Sequence, residues 1–370
     1  MVKFMKNLTK KDLLSLNGQE LKILMHKYGQ KPYRAQQLFY SLHKELIDEI
    51  NNITCLSHDL RKELMKTYEI YSPKIKEIIT STDGTIKYVF VCFDGEIIES
   101  VFIHGLSASK KCTLCVSSQV GCAMNCAFCA TAKIGFIRNL LPSEIVGQVY
   151  KVLQNLMDIK NNNKHFSNNC FKNIRVINNI VYMGMGEPLN NYKNVIRSIN
   201  LLMHEKGQLY SSRRITVSTS GVVKNIARLG YETGVQLAVS LNATNDLIRT
   251  KIMPINKKWN IDNLLNACKK YPLLARQRIT FEYIMISGIN DSNENAKKLA
   301  NLIAPFNAKI NLIIFNEHSL VSFKKSNMKQ VLSFQQILFN KNINVFIRKT
   351  FGDDINAACG MLNGNKSKKI

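Results

Sequence analysis

Cys122, Cys126 and Cys129 stand in the stretch "CVSSQVGCAMNCAFCATAKIGF", residues 115 to 136, with a fourth cysteine, Cys115, opening it. Thiolates are the soft ligands that hold zinc, copper or iron–sulfur clusters, and they are also redox groups and nucleophiles. Three readings compete. Two C-x-x-C pairs, Cys112 with Cys115 and Cys126 with Cys129, could form a zinc site, which leaves Cys122 unexplained. A thioredoxin-like C-x-x-C would leave the other cysteines idle. The C-x-x-x-C-x-x-C spacing taken whole puts three thiolates on one loop, enough for three irons of a [4Fe–4S] cluster whose fourth iron stays open, with Phe128 shielding it.

Further polar residues recur where a cofactor would need them. "GMGEP" brings Gly186 and Glu187, whose carbonyl and carboxylate can accept from an ammonium, and glycine lets the backbone approach closely. "STSG" brings Ser218, "SLN" brings Ser240, Leu241 and Asn242, and Asn316 ends "INLIIFN". Singly, each is more often a turn or a cap. In succession they suggest one shared site.

The elements that must position them follow from periodicity. Residues 1 to 75 read as a small helical unit, with apolar residues three and four apart and Pro32 near a helix start. Residues 76 to 111 change to strands, "TIKYVFVCF" and "EIIESVFIH", bounded by the turn signals "STDG" and "FDGE". From 112 to 350, short apolar strands alternate with longer helical segments, which predicts an α/β fold with a parallel sheet or partial barrel. Chemistry in such folds collects at the carboxyl ends of the strands. A closing segment, 351 to 370, carries the isolated Cys359. The asparagine- and lysine-rich stretch 160 to 173 reads as a surface insertion, with His165 and Cys170 as bystanders.

The 370-residue chain has 51 Lys and Arg against 26 Asp and Glu, a formal charge of +25, which favours a polyanionic partner, nucleic acid before membrane. The bland source is a lysine-, asparagine- and isoleucine-rich composition. In the helical unit, Lys31, Tyr33 and Arg34 could touch RNA. No signal peptide and no run of about 18 apolar residues are visible, so the expectation is a cytoplasmic protein without a membrane partner.

The cysteine loop followed by these motifs resembles the radical S-adenosylmethionine (SAM) superfamily. With "KPYRAQQLF", "GMGEPLNN", "STSGVV", "PINKKWN" and the closing "AACGML", the chain is similar to the RlmN-type adenine C2-methyltransferases of rRNA and tRNA, with the Cfr-type C8-methyltransferases as relatives. The resemblance implies a partial (βα)6-type radical SAM barrel, a helical N-terminal accessory unit for RNA and a short antiparallel β connection. It implies one [4Fe–4S] cluster on Cys122, Cys126 and Cys129, and two SAM molecules per turnover, bound by Gly186, Glu187, Ser218, Ser240, Leu241, Asn242 and Asn316. It further implies that Cys359 becomes S-methylcysteine, that Cys115 resolves a protein–RNA crosslink through a transient disulfide with Cys359, and that Glu99 accepts a proton. The implied partners are 23S rRNA, tRNA and an external electron donor of flavodoxin or ferredoxin type, and the implied state is a monomer. The segment 104 to 112 is longer than the family's usual connection, Phe351 replaces a family arginine, and "NEHSLVSFKKSN" replaces a loop richer in proline and glycine. A zinc-dependent RNA-binding protein without enzymatic activity is the alternative from another class.

Overall fold

The computed structural model describes residues 10–105, 111–162 and 176–364. His165 and Cys170 lie outside the described residues, as does most of the segment 104 to 112 and of the basic tail.

The chain opens with β1 (Lys11–Asp12), α1 (Gly18–Lys27), α2 (Tyr33–His43) and α3 (His58–Thr67). α1 starts at a capping box, in which Asn17 and Glu20 each accept from the other's backbone N–H. α3 starts at Ser57, whose hydroxyl accepts from Leu60 N–H. Leu21, Leu24, Leu38, Leu42 and Leu64 bury the inner faces. β2 (Tyr68–Glu69) returns to pair in parallel with β1, a pairing too short to leave a sequence period.

β3 (Lys74–Thr80), β4 (Ile86–Val91) and β5 (Ile97–Ile103) form an antiparallel meander. Its two turns place Gly84 and Gly95 at a φ of 83°, as the turn signals predict. The meander is continuous with the main sheet, because β5 pairs antiparallel with β6 (Thr113–Cys115).

After β6 come a side hairpin of β7 (Gln119–Gly121) and β8 (Phe136–Asn139) with α4 (Ala130–Ile134) between them, and then α5 (Pro142–Asn162). The chain continues through β9 (Asn179–Tyr182), α6 (Tyr192–Met203), β10 (Ile215–Thr219), α7 (Val223–Thr233) and β11 (Gln236–Ser240). It ends with α8 (Asp246–Ile252), α9 (Ile261–Lys269), β12 (Ile279–Met285), α10 (Asn293–Ile303), β13 (Ala308–Ile314), α11 (Met328–Asn340) and β14 (Val345–Arg348).

One sheet of ten strands runs in the order β3-β4-β5-β6-β9-β10-β11-β12-β13-β14. From β6 to β14 every pairing is parallel, and each strand lies beside its predecessor in that series. Right-handed crossovers repeated in one direction put the helices on one face, so the sheet curves as a partial barrel. The helices pack as a sequential outer layer, α5 on α6, α6 on α7, α7 on α9 and α10 on α11. All seven residues of β12 are buried, as a strand covered on both faces requires.

The base of the cysteine hairpin is held by charge. Arg138 on β8 forms a two-pronged pair with Asp94 in the β4–β5 turn (2.6 and 2.8 Å) and another with Glu144 in the first turn of α5 (2.7 and 2.8 Å). The guanidinium holds the Asp94 carboxyl below its ordinary range. Replacing it with an apolar side chain strands the buried Glu144 carboxylate and the half-buried Asp94 carboxylate. Arg138→Met is therefore expected to lower unfolding stability by about 3–5 kcal/mol, read from urea denaturation.

Candidate active site

The three spaced cysteines occupy the loop between β7 and α4. Gly121 closes its base at a φ of 69°, where an added Cβ would lie 1.8 Å from the Gly135 carbonyl oxygen. Cys122 N–H donates to that carbonyl (2.9 Å), and Ala127 N–H donates to the Ile252 carbonyl at the end of α8 (2.9 Å). The backbone is thus fixed by hydrogen bonds that do not use the sulfurs. Cys126 packs with Ile252, Ile286 and Phe315, with Met124, Phe128 and Cys129 alongside.

Burial pushes the Cys122 thiol up to about 12 and the Cys126 thiol well above its ordinary value, and Glu187 and the neighbouring thiols add to both shifts. A bound metal reverses this by ionising its thiol ligands. Three thiols on one braced loop, in an apolar shell, fit the ligand set of a [4Fe–4S] cluster with one open iron. Among the described residues, no three His, Cys, Asp or Glu side chains converge closely enough to hold a single metal ion. The zinc quartet in particular is divided by β6, since Cys112 precedes that strand and Cys115 is its last residue.

The closing segment folds back over this loop. Ala130 N–H donates to the Gly360 carbonyl (2.7 Å), the Thr131 hydroxyl to the Leu362 carbonyl (2.6 Å), and Asn316 Nδ2 to the Cys359 carbonyl (3.2 Å). As a result Cys115, Cys129 and Cys359 line one cavity of about 160 Å³, together with Gly184, Asn316 and Arg348. That volume is below the usual range for small-molecule sites, with the closing segment filling one side. Burial pushes the Cys115 thiol up to about 12, with Cys359 adding to the rise and Arg348 opposing it. Cys359 is exposed at the edge of this cavity; the atoms packed around its sulfur raise the thiol, and the same guanidinium opposes the rise.

Glu99 on β5 is fully buried. Its Oε2 accepts from the backbone N–H groups of Asn363 (3.0 Å) and Gly364 (3.3 Å), while Oε1 has no hydrogen-bond partner. Burial raises its pKa, and Lys87, 3.9 Å from Oε1, opposes the rise. Val101 and Ile103, which alternate with Glu99 on one strand face, line the cavity.

The predicted SAM-binding residues all lie at the carboxyl ends of the parallel strands, yet several are already engaged. Glu187 accepts four hydrogen bonds: from Leu189 N–H (3.0 Å), the Thr219 hydroxyl (2.8 Å), and the backbone N–H and hydroxyl of Ser220 (both 2.7 Å). These fill the lone-pair sites of both oxygens, so an ammonium must displace one of them. Gly186, at a φ of 98°, lies so close to Gln119 that an added Cβ would fall 2.5 Å from the Gln119 Cβ. Asn242 accepts from Ile284 N–H (2.9 Å), which ties the end of β11 to β12. Ser218 and Ser240 are half-buried, Leu241 is buried, and of the predicted set only Asn316 lines the cavity.

Sequence reasoning missed three cations. Arg348 lines the cavity, Lys87 faces Glu99, and Arg249 is fully buried on α8. Arg249 donates to the carbonyls of Ser220 (2.7 Å), Ser240 (3.1 Å) and Leu241 (3.0 Å) and to Asn256 Oδ1 (3.0 Å), joining the ends of β10 and β11. A cation inside an otherwise apolar strand, as in "VFIRK", was the available signal.

A sequential parallel sheet with a three-cysteine loop after its first strand defines a radical SAM fold, and a solved structure of a methyltransferase of that class shares it. A radical SAM methyltransferase from Sphaerobacter thermophilus superposes with a TM-score of 0.87 at 37% identity, covering 95% of this chain and 99% of that one. Residues 11–70 match the family described as the ribosomal RNA large subunit methyltransferase N-terminal domain. The dual-specificity RNA methyltransferase RlmN of Geotalea uraniireducens is 42% identical over 98% of this chain and 99% of its own. That of Desulfotalea psychrophila is 43% identical over 98% of both. The chain belongs to the RlmN family of RNA methyltransferases, and with that class come a [4Fe–4S] cluster and SAM.

The cysteine loop makes a direct prediction. Anaerobically reconstituted protein is expected to hold iron and sulfide in about a four-to-four ratio, with broad visible absorption, and Cys122→Ala is expected to lose both. A colourless zinc protein that keeps its metal in Cys122→Ala would contradict this.

Proposed function

We propose that the protein methylates C2 of adenosine in 23S rRNA, at the peptidyl-transferase centre, and in tRNA, at the adenosine just 3′ of the anticodon. The observation that supports this most is the single cavity lined by Cys115, Cys129 and Cys359, residues far apart in sequence, with buried Glu99 on the adjoining strand face. C2 of adenine is an electron-poor ring carbon and does not attack a sulfonium methyl as an amine would. A radical route avoids that obstacle.

Cys359, as thiolate, displaces the methyl of a first SAM and leaves S-adenosylhomocysteine. Cys122, Cys126 and Cys129 would hold the cluster, which when bound would supply the one electron needed to divide a second SAM into methionine and a 5′-deoxyadenosyl radical. Transfer of a hydrogen atom from the Cys359 S-methyl group to that radical gives 5′-deoxyadenosine and leaves a carbon radical that joins C2. Glu99 Oε1, free of hydrogen bonds, takes the C2 proton as the adduct gives up its unpaired electron, which would return to the oxidised cluster, and the Cys115 thiolate then bonds to the Cys359 sulfur, breaking the sulfur–carbon bond so that the departing methylene takes up a proton and becomes the methyl group. Arg348, beside both cysteines, favours their thiolate forms.

The formal charge of +25 suits an RNA partner. In the N-terminal unit, Lys31 and Tyr33 are exposed, while Arg34 is committed to the Cys55 carbonyl (2.5 Å) and Gln37 (3.0 Å). An external electron donor of flavodoxin or ferredoxin type, a monomeric state and a cytoplasmic location complete the reading. No helix among the described residues is long and apolar enough to cross a membrane.

Nucleosides from 23S rRNA and tRNA, incubated anaerobically with the reconstituted protein, SAM and a reductant, are expected to contain 2-methyladenosine by mass spectrometry. Finding only 8-methyladenosine would assign the Cfr-type reaction instead. Cys115→Ala is expected to accumulate a covalent protein–RNA adduct on denaturing gels and Cys359→Ala to form none. Adduct in neither variant would remove the resolving role from Cys115.

A further inference from the structure

Lys87 on β4 is 4% exposed, the one charged residue of the strand IKYVFV. A buried ammonium is costly unless it is engaged at both ends of its reach. Here it is: Lys87 Nζ donates to the Ile355 carbonyl (2.5 Å) in the segment that carries Cys359, and lies 3.9 Å from Glu99 Oε1. Strand register makes this possible, since Lys87 pairs with Val101 and Glu99 with Val89, placing the two side chains diagonally on adjacent strands.

The geometry around Glu99 is asymmetric. Oε2 is taken by two backbone N–H groups of the closing segment, and Oε1 by none. At 3.9 Å, Lys87 attracts the carboxylate without occupying a lone pair of the oxygen that must receive a proton. The same segment is fastened to the β3–β4 turn. The Ser81 hydroxyl and Thr82 N–H donate to Asp354 (2.6 and 3.0 Å), and Gly352 N–H donates to Asp83 (2.9 Å). Lys87 is therefore the charged member of an anchor that joins the proton acceptor to the methyl-carrying segment.

We propose that Lys87 is a positioning residue for the RNA-methylation step: its ammonium keeps Glu99 ionised with Oε1 open, so that the proton leaving C2 of the adduct is accepted there. This rests on the function proposed above. The groups that face Glu99 are Lys87 from β4, Glu77 from β3, and the N–H groups of Asn363 and Gly364. Lys87 and the N–H groups favour the carboxylate, and burial and Glu77 oppose it. Removing the ammonium raises the proton affinity of Glu99, so the acid limb of adduct resolution moves to higher pH.

The test uses full-length reconstituted protein with 23S rRNA, SAM and reductant, comparing parent, Lys87→Met, Lys87→Arg and Glu99→Ala. Methyl on Cys359 is read by intact mass, adduct by denaturing gel, and adduct resolution as a function of pH. Lys87→Met is expected to carry the Cys359 methyl, to accumulate adduct on the order of tenfold above parent, and to show the shifted acid limb, with Lys87→Arg restoring both. Parent-like adduct and an unmoved acid limb in Lys87→Met overturn the proposal. Where Lys87→Met does not hold its cluster, the same readings on Lys87→Gln decide, since glutamine keeps a donor for Ile355 and removes the charge. Full resolution in Lys87→Gln then overturns the proposal, leaving Lys87 as an anchor only. Absence of adduct in Glu99→Ala would instead strike the function proposed for Glu99, a separate failure.

Discussion

Three residues, Thr113–Cys115, pair antiparallel with β5 on one side and parallel with β9 on the other, and the carboxyl edge of the sheet depends on that double register. Val101 lies opposite Cys115, and Cys115 lies opposite Val181. A slip of one residue would turn Cys115 to the other face and take it away from Cys359. Ser117, just beyond, locks the register. Its hydroxyl donates to the Glu99 carbonyl (2.6 Å) and accepts from Met185 N–H (2.9 Å), while its N–H donates to Gln148 Oε1 (2.8 Å). One serine thus joins the strand of Glu99 to the glycine-rich strand end.

Buried charge performs two different tasks at this edge. Glu187 and Arg249 are saturated, the first by four donors and the second by four oxygen acceptors, and each ties neighbouring strand ends together. Satisfied in this way, a charge in a low-dielectric interior adds rigidity. Glu99 and Arg348 differ. Glu99 keeps one bare oxygen, and Arg348 borders a cavity with three thiols. Groups left partly unsatisfied cost stability, and that cost is typical of sites where a proton or an electron pair must move.

Two of the departures that the family resemblance implies, Phe351 and the loop after Asn316, border this cavity or follow a residue that lines it. Phe351 lines it and carries the Lys349 ammonium over its ring at 5.5 Å. In the loop after Asn316, His318 Nε2 is 3.2 Å from the Phe128 carbonyl, so the altered loop leans on the cysteine loop, and Glu317 accepts from Lys325 N–H at 3.0 Å.

By itself the sequence determined the cysteine spacing, the alternation of strands and helices, the turn glycines at positions 84 and 95, and the polar residues at successive strand ends. All of these are properties of neighbours along the chain, and periodicity reads them. The tertiary structure decided what converges. Cys359 reaches Cys115 only because the closing segment folds back onto α4. Lys87 meets Glu99 only through the register of β4 with β5, and Arg348 enters the cavity only as the end of the last strand. It also decided against appearance, since Glu187, placed like a ligand in sequence, meets four protein donors in space. A single cation in an apolar strand has no local mark of its purpose, because its partners are chosen by sheet register and chain return, which act between residues remote in sequence.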